Sequence, residues 1–491
     1  METNNENQVA FNPEFNPPSL YDRLVNSIVL KLVVIFFLTL LVLIPLNLVN
    51  DLIQERKNRE VTVSSDISTK WGQSQVVSAP VIAVPYKYVE ESVEKDAKGK
   101  EAVVRTTVED WIFLLPEHTH VNVNVNPEYL KRGIYESVVY NSKLDMKGTF
   151  SKIDLESLDI SKDAVNWSQA KLVLGIEDVK GISITPNLDF AGKSYPMKMN
   201  SKLFRLFTNN LVADLKLTGE EGVASSFQIR YELKGSKSLN YLPLANQTKL
   251  NVSGEWGSPS FNGGFLPDNR EVQDSSFIAE WNIPSFARKL PQQWTGESRI
   301  YDFHDLSLSE ESIDYLPELK TTVAANANLI STDKDMVQVN FLPEVNNYQK
   351  TTRVAKYGIL VIILTFASLF FTEIIKNQRI HIVQYILIGA AMVLFYSLLL
   401  AISEHLGFNT AYFVAALATI GLIASFIHLI TKQRNTAFLF AAILGLFYTF
   451  IYVLMQLRDY SLIVGTIGIF IILAVLMRVS TKVNWFQFDR K

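Results

Sequence analysis

The chain has 491 residues, of which 48% are hydrophobic and 19% charged, and its formal net charge is −3. No global basic field favours nucleic acid, and the complete absence of cysteine excludes disulfides, thiolate nucleophiles and cysteine-ligated zinc or iron–sulfur centres. The averages hide two populations: residues 51–350 read as an ordinary soluble sequence, whereas residues 357–479 are overwhelmingly apolar.

Residues 1–27 come first, polar and at the outset rich in Asn, Glu and Pro, and are expected to be a disordered cytoplasmic tail. Ile28–Val49 is then an apolar run long enough to cross ~30 Å of hydrocarbon as a helix. Lys31 at its start can snorkel to the interface, and Pro45 near its far end is tolerable in a membrane helix. No small-residue cleavage site follows, so residues 28–50 read as a retained signal anchor.

Between Asp51 and Lys350 the dominant period is two. His120–Asn126 alternates histidine or asparagine with valine, and Phe227, Ile229, Tyr231 and Leu233 alternate with polar neighbours, as do Val337, Val339 and Phe341. Gln75–Tyr88, Gly133–Tyr140, Lys171–Ile176 and Lys249–Val252 are further strand candidates. This alternation predicts half-buried antiparallel strands. Turn signals at Gly99, Gly181 with Pro186, Gly219 with Gly222, and Gly263-Gly264 separate them. The charged stretch Lys95–Lys100 reads as an exposed hairpin tip, and Ser285–Leu290, between two prolines, as a helical interruption.

Five more apolar runs follow: Tyr357–Ile375, Ile382–Ile402, Ala411–Ile430, Ala437–Met455 and Tyr460–Met477. None carries a central lysine or arginine, which would cost ~2.5–3.5 kcal/mol on insertion scales. The predicted fold is therefore a membrane protein: one N-terminal transmembrane helix, a large β-rich domain over residues 51–350, and a C-terminal bundle of about five transmembrane helices within residues 357–479.

The positive-inside rule orients it. Lys376 and Arg379 share one short loop, Lys432 and Arg434 another, and Arg478, Lys482, Arg490 and Lys491 lie in or beside the final tail, residues 480–491. The intervening loop Ser403–Thr410 has neither Lys nor Arg, and the loop near Asp459 has only Arg458. Both termini are expected inside and the β-rich domain outside. Arg56, Lys57 and Arg59 argue the other way, but long domains translocate largely regardless of charge.

Several stretches are now specific enough to compare. They are Trp71-Gly72-Gln73-Ser74-Gln75, Ala79-Pro80, Val84-Pro85-Tyr86, Arg132-Gly133-Ile134-Tyr135-Glu136 and Tyr241-Leu242-Pro243 with Trp256. The run Pro259-Ser260-Phe261-Asn262-Gly263-Gly264-Phe265-Leu266-Pro267 continues the series, followed by Trp281-Asn282-Ile283 and Leu290-Pro291-Gln292. In the apolar half come Tyr357-Gly358-Ile359-Leu360, Leu394-Phe395-Tyr396 and Ser403-Glu404-His405-Leu406-Gly407-Phe408, then Gln456 with Asp459-Tyr460. In this order, from about residue 50 to 485, the chain resembles the CreD family of bacterial cell-envelope integrity proteins. Gln73 and Ser74 depart from that family's more usual Gly-x. The resemblance implies an inner-membrane component tied to envelope integrity and stress-linked control, and it carries over no active site.

Ser403, Glu404 and His405 are the first candidate polar cluster, placed by the predicted orientation at the outer mouth of a membrane helix. Ionisable groups there are often functional, and Glu404 could orient His405 as a pH-responsive or acid/base pair. The plainer alternative is a helix cap ended by Gly407. Glu373 is a second candidate: a proton-relay carboxylate, or more simply a surface group offsetting Lys376 and Arg379. His381 and His428 read as interfacial. His118 and His120 share one strand face, which suits a metal, but no third ligand is nearby, so no metal or other cofactor is expected. Trp71, Trp256, Trp281 and Trp294 could line a carbohydrate or peptide groove, although aromatics dominate core burial. Gly263 and Gly264 suit a tight turn.

No G-x-S-x-G, H-E-x-x-H, Walker A or G-x-G-x-x-G motif is present, and no residue is assigned as catalytic. The favoured reading is a non-enzymatic protein whose partners are the lipid bilayer and an envelope protein or ligand bound by the outer domain. A transporter or channel, and an envelope-modifying enzyme acting through Glu404 and His405, are the alternatives.

Overall fold

The computed structural model describes residues 28–95, 101–200, 206–207, 209–288, 290–296, 335–341, 347–376, 380–457 and 460–481. The expected tails before residue 28 and after 481, the hairpin tip at 96–100, and Arg379, Arg458 and Asp459 lie outside the described residues. The chain divides into two compact units, one made of Met1–Arg59 with Val345–Lys491 and the other of Glu60–Glu344.

In the first unit, helix α1 (Ile28–Trp71) does not stop at the end of its apolar run but continues into the second unit. Nothing between Asn50 and Trp71 breaks it: no Pro or Gly occurs before Gly72. Glu55–Arg59 and Asp66–Lys70 pair at i,i+4 along the polar stretch. Then follow α2 (Asn347–Lys356), α3 (Gly358–Lys376), α4 (Ile382–Leu406), α5 (Phe408–Thr431), α6 (Arg434–Gln456) and α7 (Ser461–Ser480). With α2 and α3 read as one run, six helices among the described residues are long and apolar enough to cross a membrane. The expected loop Ser403–Thr410 shrinks to Gly407, whose φ of 76° is the left-handed conformation a glycine adopts cheaply at a helix end. An aromatic cluster of Phe395, Tyr396, Tyr412 and Tyr448 packs α4 against α5 and α6.

Among the described residues the second unit holds a ten-stranded and an eight-stranded sheet. Tyr140 and Phe277 of the eight-stranded sheet meet Phe341 of the other, so the two inner faces share one core. Each fully buried side chain of this size stabilises by about 1.5–3 kcal/mol. Over residues 118–127 of β4 (His118–Arg132) and along β16 (Phe277–Pro284) burial alternates residue by residue, as the period-two pattern requires.

Two strand pairs depart from the expected antiparallel arrangement. β1 (Gln75–Ser78) lies parallel to β12 (Ser238–Leu242), and β4 lies parallel to β13 (Gln247–Gly254), so the sheets are mixed and not purely antiparallel. β1 and β12 are buried on both faces, the usual condition of parallel strands. Buried Gln75 is satisfied by donating to Asp178 O at 3.1 Å and Lys234 O at 2.9 Å. Lys237, at φ 63°, makes the corner at which the chain passes from β11 (Ser226–Ser236) in one sheet to β12 in the other.

Two local expectations shift. The strand expected from Gly133 starts at Tyr135, because Gly133 (φ 65°) and Ile134 form a two-residue hairpin turn between Arg132 and Tyr135, the first residues of β4–β5 pairing (β5, Tyr135–Thr149). Within Ser285–Leu290, the described helical part is one 3₁₀ turn, Ser285–Ala287.

Candidate functional site

The helical unit carries an ionic cluster toward each end of α4. At its start, Glu373 of α3 is 6% exposed and is not the surface carboxylate expected from sequence. Lys31 Nζ of α1 donates to its Oε1 at 2.6 Å, the Tyr385 hydroxyl of α4 donates to Oε2 at 3.3 Å, and the Ile380 N–H donates to Oε1 at 3.3 Å. A carboxylate in an apolar bundle is tolerated only when paired and hydrogen-bonded, and this one has a cation and two donors. A small cavity beside it is lined by Thr372, Thr431 and Thr436 among isoleucines, Leu369 and Phe440.

At the other end of α4, Ser403 is buried and donates to Leu400 O at 2.9 Å. The Tyr348 hydroxyl of α2 donates to Glu404 Oε1 at 3.1 Å, and Arg56 Nε of α1 lies 3.8 Å from the same oxygen. His405 is exposed. Neighbouring residues of a helix diverge, so Glu404 turns to Tyr348 and Arg56 and not to His405. Nineteen residues at 1.5 Å each separate Tyr385 from Glu404, about 28 Å, close to the thickness of a hydrocarbon core. The two clusters thus bracket the apolar length of α4. Of the histidines, His381 is the N-cap of α4: Val383 N–H donates to its Nδ1 at 3.3 Å.

In the β-rich unit the tryptophans divide. Trp281 is 1% exposed and donates to Phe265 O at 3.1 Å. Trp294 stacks on Phe113, and Trp256 packs on Tyr129. Their buried rings fill the core. Trp71 is half-buried, donates to Tyr140 O at 3.4 Å, and has Lys234 Nζ 4.7 Å from its ring centroid. Gly263 brings β14 (Pro259–Gly263) close to a neighbouring backbone: a Cβ there would lie 2.3 Å from Met336 O.

The outward face of the eight-stranded sheet is a field of amides, imidazoles and charges. One row across it runs Glu280, Asn251, Asn122, Asp145, Arg230, each opposite the next on the adjoining strand. Asn251 Nδ2 donates to Asn122 Oδ1 at 3.1 Å, and Gln228 Nε2 donates to Asp145 Oδ1 at 2.6 Å. His118 and His120 are both exposed here, and His120 Nε2 is 3.2 Å from Asn122 Oδ1. Among the described residues no group of three His, Cys, Asp or Glu side chains could hold a metal.

Sequence reasoning missed Lys31, Tyr385, Tyr348 and Arg56 as partners. The available signal was the carboxylate itself: an acid beside a membrane span demands a cation, and few are within reach.

The family model described as inner membrane protein CreD matches residues 27–486. Inner membrane protein CreD of Escherichia coli (strain K12) is 28% identical over 465 residues, covering 94% of each chain. Among solved structures, a mutant M1 zinc metallopeptidase from Deinococcus radiodurans is similar at TM-score 0.19 and 8% identity, over 35% of this chain and 41% of that one. The parent M1 zinc metallopeptidase from the same organism gives TM-score 0.17 and 9% identity, over 35% and 40%.

Proposed function

The chain belongs to the CreD family of multi-pass inner-membrane proteins, and we propose that it works without catalysing a reaction, holding its β-rich unit on the periplasmic side to bind an envelope partner or ligand during envelope stress. Six spans, the number found among the described residues, would keep both termini on one side of the membrane, and the basic residues Lys432, Arg434 and Arg478 at the ends of α5, α6 and α7 support that side being the cytoplasm.

One observation carries the binding role. The eight-stranded sheet buries one face in the core and turns the other, rich in side chains that both donate and accept hydrogen bonds, to the surroundings. Such a face suits recognition of a hydrated, polar partner.

The natural lack of cysteine makes the test direct. Lys249→Cys, on that exposed face, should react with a membrane-impermeant maleimide in intact spheroplasts, whereas Arg434→Cys should react only after lysis. The opposite labelling pattern would overturn the reading. A photo-crosslinking residue at Asn251 should then capture a discrete envelope component, and capture of nothing above the level seen from the lipid-facing position Phe438 would remove the binding role.

A further inference from the structure

A cleft of about 170 Å³ opens on the outward face of the eight-stranded sheet, lined by Asn124, Asn126, Asn141, Lys143, Ser183 and Glu232. At ~30 Å³ per water molecule, it holds roughly the volume of five or six waters, or one small polar ring. Strand register assembles it from segments far apart in sequence. Asn126 lies opposite Asn141 and Asn124 opposite Lys143 in the β4–β5 pair, and Lys143 lies opposite Glu232 of β11. Ser183 joins through its N–H, which donates to Glu232 O at 3.1 Å.

We propose that this cleft binds one unit of an uncharged saccharide. Lys143 Nζ is 3.7 Å from Glu232 Oε1, so the two formal charges offset each other and neither an anion nor a cation is favoured. The Asn126 and Asn141 amides are exposed and stand side by side. Each offers two N–H donors and one carbonyl acceptor. A sugar hydroxyl both donates and accepts, and two adjacent hydroxyls match the spacing of one planar amide. An acyl chain or an apolar peptide would instead strand these amides without partners.

Trp71 marks the rim. Its Nε1 bonds to the carbonyl of Tyr140, next to Asn141, and the Lys234 over its ring is the register partner of Asn141. Its half-buried ring is therefore a built-in optical reporter of the cleft.

The inference rests on the β-rich unit facing the envelope, where saccharide is available. The test uses the full chain in lipid nanodiscs, titrated with N,N′-diacetylchitobiose, which has wall-type amino-sugar chemistry, and separately with maltotriose, a free neutral sugar. Binding is read by saturation-transfer NMR and by the tryptophan emission lost in Trp71→Phe. At least one sugar should bind, and the Asn126→Ala/Asn141→Ala double variant should bind at least tenfold more weakly with unchanged thermal unfolding. Glu232→Gln, which keeps the shape of the site, should also weaken binding. Binding of the amino sugar alone would identify an envelope glycan as the source; binding of maltotriose alone would identify free sugar. The idea is overturned if neither sugar binds, or if the double variant binds as tightly as the parent. Outward maleimide labelling without sugar binding defeats this inference alone; inward labelling with sugar binding defeats only the proposed location.

Discussion

Lys31 and Glu373 form an ion pair of 2.6 Å although 342 positions separate them in the chain. The pair ties the first helix of the helical unit to α3, and Tyr385 extends the tie to α4. Its two halves are unequal: Glu373 is 6% exposed and Lys31 39%. Lys31→Met should therefore strand a buried carboxylate and cost about 2 kcal/mol, discounted from the fully buried case for Lys31's exposure. Glu373→Gln leaves a lysine that can snorkel, and should cost about 1 kcal/mol or less. Thermal unfolding of the detergent-solubilised protein separates the two. Equal losses would show that the pair has no such asymmetry.

At the other end of α4, Glu404 is committed to Tyr348 and Arg56. Tyr348→Phe removes one hydrogen bond to a charged group and should cost about 1.5–3 kcal/mol. His405→Ala, at an exposed position, should leave stability within about 0.5 kcal/mol. On the binding reading, His405→Ala and Glu404→Gln at normal membrane levels also leave complementation of a null strain intact. Loss of complementation in both would revive acid/base chemistry at this face.

Gly72 ends α1, its N–H donating to Ser68 O at 2.9 Å, with φ at 152°. A Cβ there would lie 2.7 Å from Lys234 O, a backbone atom that cannot swing aside. Gly72→Ala should cost about 1–3 kcal/mol. It should also disturb the Lys234–Trp71 contact, visible as a change in tryptophan emission. A fully stable variant with parental emission would contradict this packing.

Alkali provides a further test. Burial pushes the phenols of Tyr140, Tyr231 and Tyr241 well above the usual value of 10.0. The folded state then keeps protons that the unfolded chain releases, so this contribution is whole below roughly pH 10 and is lost as pH rises. Each phenol should contribute about 1.4 kcal/mol per pH unit to that loss, about 4 for the three together. Denaturant titrations of the full chain at rising pH measure the slope, and Tyr241→Phe should lower it by about a third. Among the described residues the Tyr241 hydroxyl has no hydrogen-bond partner. The same variant should thus be neutral or up to about 1 kcal/mol more stable at neutral pH. An unchanged alkaline slope would show that Tyr241 titrates in the folded state.

Local sequence determined the kind of each element. Long apolar runs must be helices because hydrocarbon supplies no partner for free peptide groups, and alternation of the His120–Asn126 type must be a strand with one wet face. It also determined that Glu373 and Glu404 needed explaining, since carboxylates beside membrane spans are rare. Which groups meet them was decided by the tertiary structure. Lys31 reaches Glu373 because α1 packs beside α3, and no periodicity within either helix encodes that neighbour. Likewise Asn126 and Asn141 face each other, and β4 finds β13 in parallel, through strand register set by the shared core. Even the length of α1 past Val49 depends on helix propensity and i,i+4 pairing, terms too small to read beside the hydropathy that marks its first half.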